Sequence, residues 1–181
     1  MPHPWTWLPA RTQKPAFLIT LMLTLLLLVV LQVINAPLRS AAAPSGIVAY
    51  ELAGTPAATQ AILASWDVTA RVAAGLSLGL DYLFIAAYAS SIGLACALTS
   101  QRFAAHSWLR HLGVALAWAL LVAATCDMLE NYALIRLLLG SASTSLPAVA
   151  RLAALIKFTL VGLGMVYALL AGLLSRRLHR A

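Results

Sequence analysis

"LGVALAWALLVAATCDMLENYALIRLLL", residues 112–139, is apolar for long enough to cross a bilayer with some tilt, yet it carries Asp127 and Glu130. A membrane core takes about 20 helical residues to span. On insertion scales an acid such as Asp near the centre of such a helix costs roughly 2.5–3.5 kcal/mol. The chain has only five acidic residues in all. Contacts with neighbouring helices must offset the cost of placing two of them here, so the segment predicts one span of a bundle.

Three more apolar segments of spanning length lie outward from it, at residues about 15–36, 72–98 and 150–174. Across its 181 residues the chain is 62% hydrophobic and 9% charged, with a mean hydropathy of +0.92. A soluble domain is about 45–50% apolar and about 25% charged. The sequence therefore predicts an all-α integral membrane four-helix bundle, a single transmembrane domain over residues 1–181 with no room for a separate soluble one. The first segment has a rival as a signal peptide, with Arg11 and Lys14 before the apolar run and an A-x-A-like site ending at Ala43. Signal cores run about 7–15 residues, and residues 17–34 exceed that, which favours a retained span.

Ten Arg and two Lys against five acids give a net charge of +7. The basic residues flank apolar runs instead of forming one stripe, which suits anionic lipid and not nucleic acid. Arg11, Lys14, Arg102, Arg110, Arg176, Arg177 and Arg180 fall on one side, and Arg39, Arg71, Arg136 and Arg151 on the other. The richer side is the cytoplasmic one under the positive-inside rule, so both termini are expected inside. Low Lys with abundant Ala, Leu and Arg suggests a bacterium with a GC-rich genome, so the membrane expected for these spans is a bacterial inner membrane.

Between the first two spans, residues 55–71 predict a short periplasmic interfacial helix, with Thr55 as N-cap and Pro56 at the first helical position. Ile62 and Trp66 share one face, with Gln60, Asp67 and Arg71 elsewhere, which fits an anchor better than a ligand lid. Trp5, Trp7, Trp66 and Trp108 read as interface anchors, and Trp118 as packed within lipid or core. Gly75 and Gly79, with Gly164, Ala168 and Gly172, form small-residue stripes that serve helix packing. Cys96 and Cys126 make no C-x-x-C pair and are expected as free thiols.

Three of the five acids, Asp81, Asp127 and Glu130, fall inside spans, and so does one of the two lysines, Lys157. At about 1.5 Å of rise per residue, the acids lie roughly 14–18 Å from the predicted periplasmic ends, and Lys157 roughly 9–11 Å, with a stem that closes the difference. Asp127, Glu130 and Asn131 share a helix face at i, i+3 and i+4. Ser77, Asp81, Phe84 and Tyr88 share another. Three acids against one lysine leave two over after one pairing. The surplus expects a proton, a metal ion or an organic cation, or it serves as neutral hydrogen-bonding glue between helices. Asp81, Tyr88, Asp127, Glu130, Asn131 and Lys157 are thus the candidate ligand-binding residues. No metal ligand set, catalytic residue or cofactor is assigned. His3, His106, His111 and His179 fall at span ends or in flanks, which disfavours a haem or zinc site in the bundle. Ser90 and Ser91 have no histidine at their depth for hydrolase chemistry.

The strings "YELAGT", "ILASW", "GLDYLFIAAY", "LGVALAW", "CDMLENYAL" and "ALIKF", spread over Tyr50 to Phe158, resemble a group of small bacterial four-span membrane proteins with no assigned activity. The resemblance implies four spans and no chemistry. From the residues, the expected function is binding, and in its fuller form translocation, of a small cation, proton or amine-bearing ligand. A homodimer or a membrane partner is expected, because four spans are few for a transporter. The alternatives are an intramembrane acid/base enzyme acting on a lipid or isoprenoid and a non-catalytic accessory subunit.

Overall fold

A computed structural model describes residues 2–178, with side chains through Ser175. His179 and Arg180, and the side chains of Arg176 and Arg177, lie outside the described residues. All regular structure among the described residues is helical: α1 (Ala10–Ile34), a 3-10 turn (Ala36–Leu38), α2 (Ile47–Glu51), α3 (Pro56–Ser65), α4 (Val68–Ser100), α5 (Trp108–Leu138) and α6 (Leu146–Leu178). Helices α1, α4, α5 and α6 are long and apolar enough to cross a membrane, the four spans of an all-α bundle. Each begins about one turn before the sequence-derived start, because the first turns are part of the helix without being part of the apolar run. Pro15 sits inside α1 instead of opening it. Most large side chains of α1, among them Ile19, Met22, Val29 and Val33, are exposed, as suits contact with lipid.

The helix expected over residues 55–71 is two. Thr55 does cap α3, its hydroxyl accepting from Ala58 N at 3.2 Å, with Pro56 at the first position. The chain then leaves the helix at Trp66, which is extended (φ −93°, ψ 124°). Asp67 starts α4 afresh by accepting from Ala70 N at 2.8 Å. The break aims the Trp66 ring inward, where Nε1 donates to Leu38 O at 2.9 Å.

The chain packs as two compact units. One comprises residues 25–85 and 125–156. Its core joins the connection after α1 to α4, α5 and α6 through Leu38, Tyr50, Trp66, Leu78, Leu134 and Ala150. The Tyr50 and Trp66 rings meet edge to face with centroids 5.1 Å apart. Tyr50 OH donates to Leu134 O at 3.1 Å. Burial pushes this phenol above its ordinary range, which keeps it a donor. Gly54, at φ +71°, lies under the Arg151 side chain, and any Cβ there would collide with Arg151 Cδ.

The other unit comprises residues 2–24, 86–124 and 157–178. Trp5 packs on Gly93 of α4, where a Cβ would overlap the indole. Leu94, Ala97, Phe103, Ala117 and Tyr167 share its core. Trp118 Nε1 donates to Pro2 O at 3.0 Å, tying down the start of the chain. Gln101 Nε2 donates to Gln13 Oε1 at 3.3 Å and lies 3.2 Å from His3 Nε2. Burial holds the His3 imidazole below its ordinary range. Cys96 and Cys126 are both free thiols, and Cys96 Sγ donates to Gly164 O at 3.4 Å.

Two of the expected interface anchors are corrected by this packing. Trp5 and Trp66 are 7% and 3% exposed and belong to the two cores, whereas Trp7 and Trp108 are 76% and 69% exposed. An indole flanked by polar residues looks the same in sequence whether its N–H reaches a headgroup or a backbone carbonyl.

Candidate functional site

The C-terminal part of α5 and the N-terminal half of α4 carry the acids. No Gly or Pro interrupts α5 from Val114 to Leu138, so Asp127, Glu130 and Asn131 keep their i, i+3, i+4 phase and present one face. That face is turned inward: Asp127 is 2% exposed, Glu130 0% and Asn131 1%. Met128, Leu129 and Tyr132, interleaved with them, are exposed.

Asp81 of α4 is half-buried. Its Oδ2 accepts from Asn131 Nδ2 at 2.7 Å, a bond that ties α4 to α5. One residue on, Tyr82 OH donates to Met128 O at 3.5 Å. Ser77, one turn before Asp81, is buried. Asp81, Asp127, Glu130 and Asn131 all belong to the unit of residues 25–85 and 125–156. Tyr88 and Lys157, the other two candidates, fall in the second unit, where both are buried. The Lys157 ammonium lies 4.9 Å from the Phe158 ring centroid, within range of the ring's negative face.

Among the described residues, no group of three or more His, Cys, Asp and Glu side chains is placed to hold a metal ion. The three carboxyls are therefore not a common ligand set for a divalent cation, which needs several oxygens around one point.

Two grooves stand apart from the acids. One, of about 350 Å³, lies between α3 and the α5–α6 connection and is lined by Thr59, Gln60, Arg71, Ser141 and Ser143 among others. The second, of about 410 Å³, is formed by Trp108, Leu112, Leu163, Val166 and Leu170 on α5 and α6 and is almost wholly apolar. Neither is lined by Asp81, Asp127 or Glu130. The first groove escapes a reading of the sequence, in which Arg71 has only a topological role. Its signal is faint: one basic residue after a Trp-Asp pair, and the run of small polar residues "GSASTS" over residues 140–145. Compared with known protein families, curated proteins and solved structures, the chain matches none of them.

Proposed function

We propose that this chain is a multi-pass protein of the bacterial inner membrane, with both termini cytoplasmic, whose α4–α5 carboxyl site binds a proton or a small amine-bearing cation. Translocation of that cation is the fuller form of the same activity. One observation carries the proposal. Glu130, with no exposed surface, shares its helix face with Asp127 and with the Asn131 amide that engages Asp81. In a low-dielectric interior an ionised Glu130 needs a positive group beside it, whereas a protonated one does not. Exchange of a proton for an amine cation keeps the buried charge constant, so one site serves both occupants. The Asn131 amide fixes the Asp81 carboxylate as an acceptor and leaves the exchange to Asp127 and Glu130.

An intramembrane enzyme acting on a lipid would use an apolar chamber beside its acid and base. The apolar groove contains no acid, so this alternative draws less support. An accessory subunit, with the acids as interhelical glue, is the outcome if the site takes up nothing.

Infrared difference spectra of the detergent-solubilised protein, between acidic and mildly alkaline buffer, test the proposal. A protonated-carboxyl C=O band should appear at acidic pH, shift in D2O and vanish in Glu130→Gln. Methylammonium should diminish that band in the wild type. A spectrum that is unchanged in Glu130→Gln and in Asp127→Asn, with no response to methylammonium, would establish the glue role.

Orientation has its own test. In a Cys96→Ala, Cys126→Ala background, single cysteines at Ser45 and Ser143 should react with an impermeant maleimide from outside the cell. A cysteine at Ser107 should react only after the membrane is opened. Reaction at Ser107 from outside would invert the topology.

A further inference from the structure

The groove between α3 and the α5–α6 connection has the composition of an anion site. Arg71 supplies its cation, and no Asp or Glu lines it. The guanidinium is held in place from behind: Nε donates to Trp66 O at 3.3 Å and Nη2 to Leu63 O at 2.8 Å. These are carbonyls at the C-terminal end of α3, where a cation is favoured. Arg71 makes no other side-chain hydrogen bond among the described residues, so its Nη1 edge is uncommitted. A fixed planar fork with one edge free suits the oxygens of a tetrahedral anion.

A second observation points to a ligand independently of Arg71. Thr59 lines the groove and is 2% exposed, yet its hydroxyl makes no hydrogen bond within the described protein. A buried hydroxyl normally finds a partner. The groove that Thr59 lines is where a partner can reach it. Gln60, beside it, is likewise without a side-chain bond among the described residues, and Ser141 and Ser143 add hydroxyls on the facing wall. The residues next to the groove in sequence are apolar and open: Val68 and Val72 flank Arg71, and Leu139 follows Leu138, at 78%, 57% and 77% exposed. A polar cleft with one fixed cation, at the ends of apolar spanning helices and bordered by greasy side chains, suits the level at which lipid phosphate groups lie.

We propose that this groove binds a phosphate group, with Arg71 pairing its charge and Thr59 and Gln60 hydrogen-bonding its oxygens. The phosphate belongs either to a phospholipid headgroup or to a small soluble phosphate ester. The proposal is independent of the carboxyl site.

Native mass spectrometry of the full chain released from nanodiscs of phosphatidylglycerol tests the lipid source. Thermal melting in detergent with added glycerol phosphate tests the soluble one. Lipid retention lost in Arg71→Met and reduced in Thr59→Val assigns the headgroup. A concentration-dependent rise in Tm on glycerol phosphate, with no lipid retained, assigns the soluble ester. In either arm affinity should fall about tenfold in Arg71→Met, the loss expected for a charge-assisted contact. Arg71 also caps α3, so that variant could fail to fold. The Thr59→Val, Gln60→Leu double variant removes no internal bond and then decides alone. Binding in neither arm overturns the proposal, as does binding that the folded variants leave unchanged.

Discussion

Trp66→Ala should lower the unfolding free energy in detergent by about 3–5 kcal/mol, the cost of truncating a well-packed aromatic. Three contributions add. The ring is 3% exposed, so nearly all its contact area is lost. Its edge-to-face contact with Tyr50 goes. Leu38 O, itself in a fully buried residue, loses its side-chain donor. Trp66→Phe separates the terms, since it keeps a ring while still orphaning the carbonyl, and should cost about 1–3 kcal/mol. Equilibrium unfolding followed by tryptophan-independent circular dichroism measures both. If Trp66→Ala lies within about 0.5 kcal/mol of wild type, the scale of an ordinary surface change, Trp66 is the interface anchor that the sequence suggests.

That residue also marks where the sequence stops being informative. Four spans and the capping of α3 by Thr55 are legible because length, apolarity and N-cap chemistry act locally. Whether residues 55–71 form one helix or two depends on Leu38, far off in the chain, offering a carbonyl to Trp66. No local propensity encodes that. The same holds for Trp5, buried because Gly93 leaves space for it. At the carboxyl site the inward phase of Asp127, Glu130 and Asn131 follows from helical spacing alone. The partner of Asn131 does not: Asp81 is one of several residues at that depth, and only the packing of α4 on α5 selects it. Charge counting also cannot tell a metal site from a proton site, because the difference lies in whether three carboxyls meet at one point.

The bond between Asn131 and Asp81 offers a measurement of what state the site is in. Hydrogen bonds between membrane helices average about 0.6 kcal/mol and reach about 1.7, because the unfolded chain in the membrane finds partners too. A bond to an ionised group is worth about 1.5–3 kcal/mol. The binding proposal, which keeps Asp81 ionised as the acceptor, takes the second figure. Asn131→Leu should therefore destabilise the protein by about 1.5–3 kcal/mol. The double-mutant cycle of Asn131→Leu with Asp81→Leu should recover a coupling in that range, well above the roughly 0.6 kcal/mol of an average interhelical bond. An exchanged pair, Asp81→Asn with Asn131→Asp, then separates stability from function. It rebuilds the bond with donor and acceptor reversed, so most of the stability should return. It also moves a carboxyl onto the α5 face that already carries Asp127 and Glu130, adding a like charge one residue from Glu130. Under the binding proposal the pH-difference infrared signal and its response to methylammonium must then change although the fold is restored. Should the exchanged protein recover stability with spectra identical to wild type, the position of charge is irrelevant, and the acids of α4 and α5 serve only to hold the helices together.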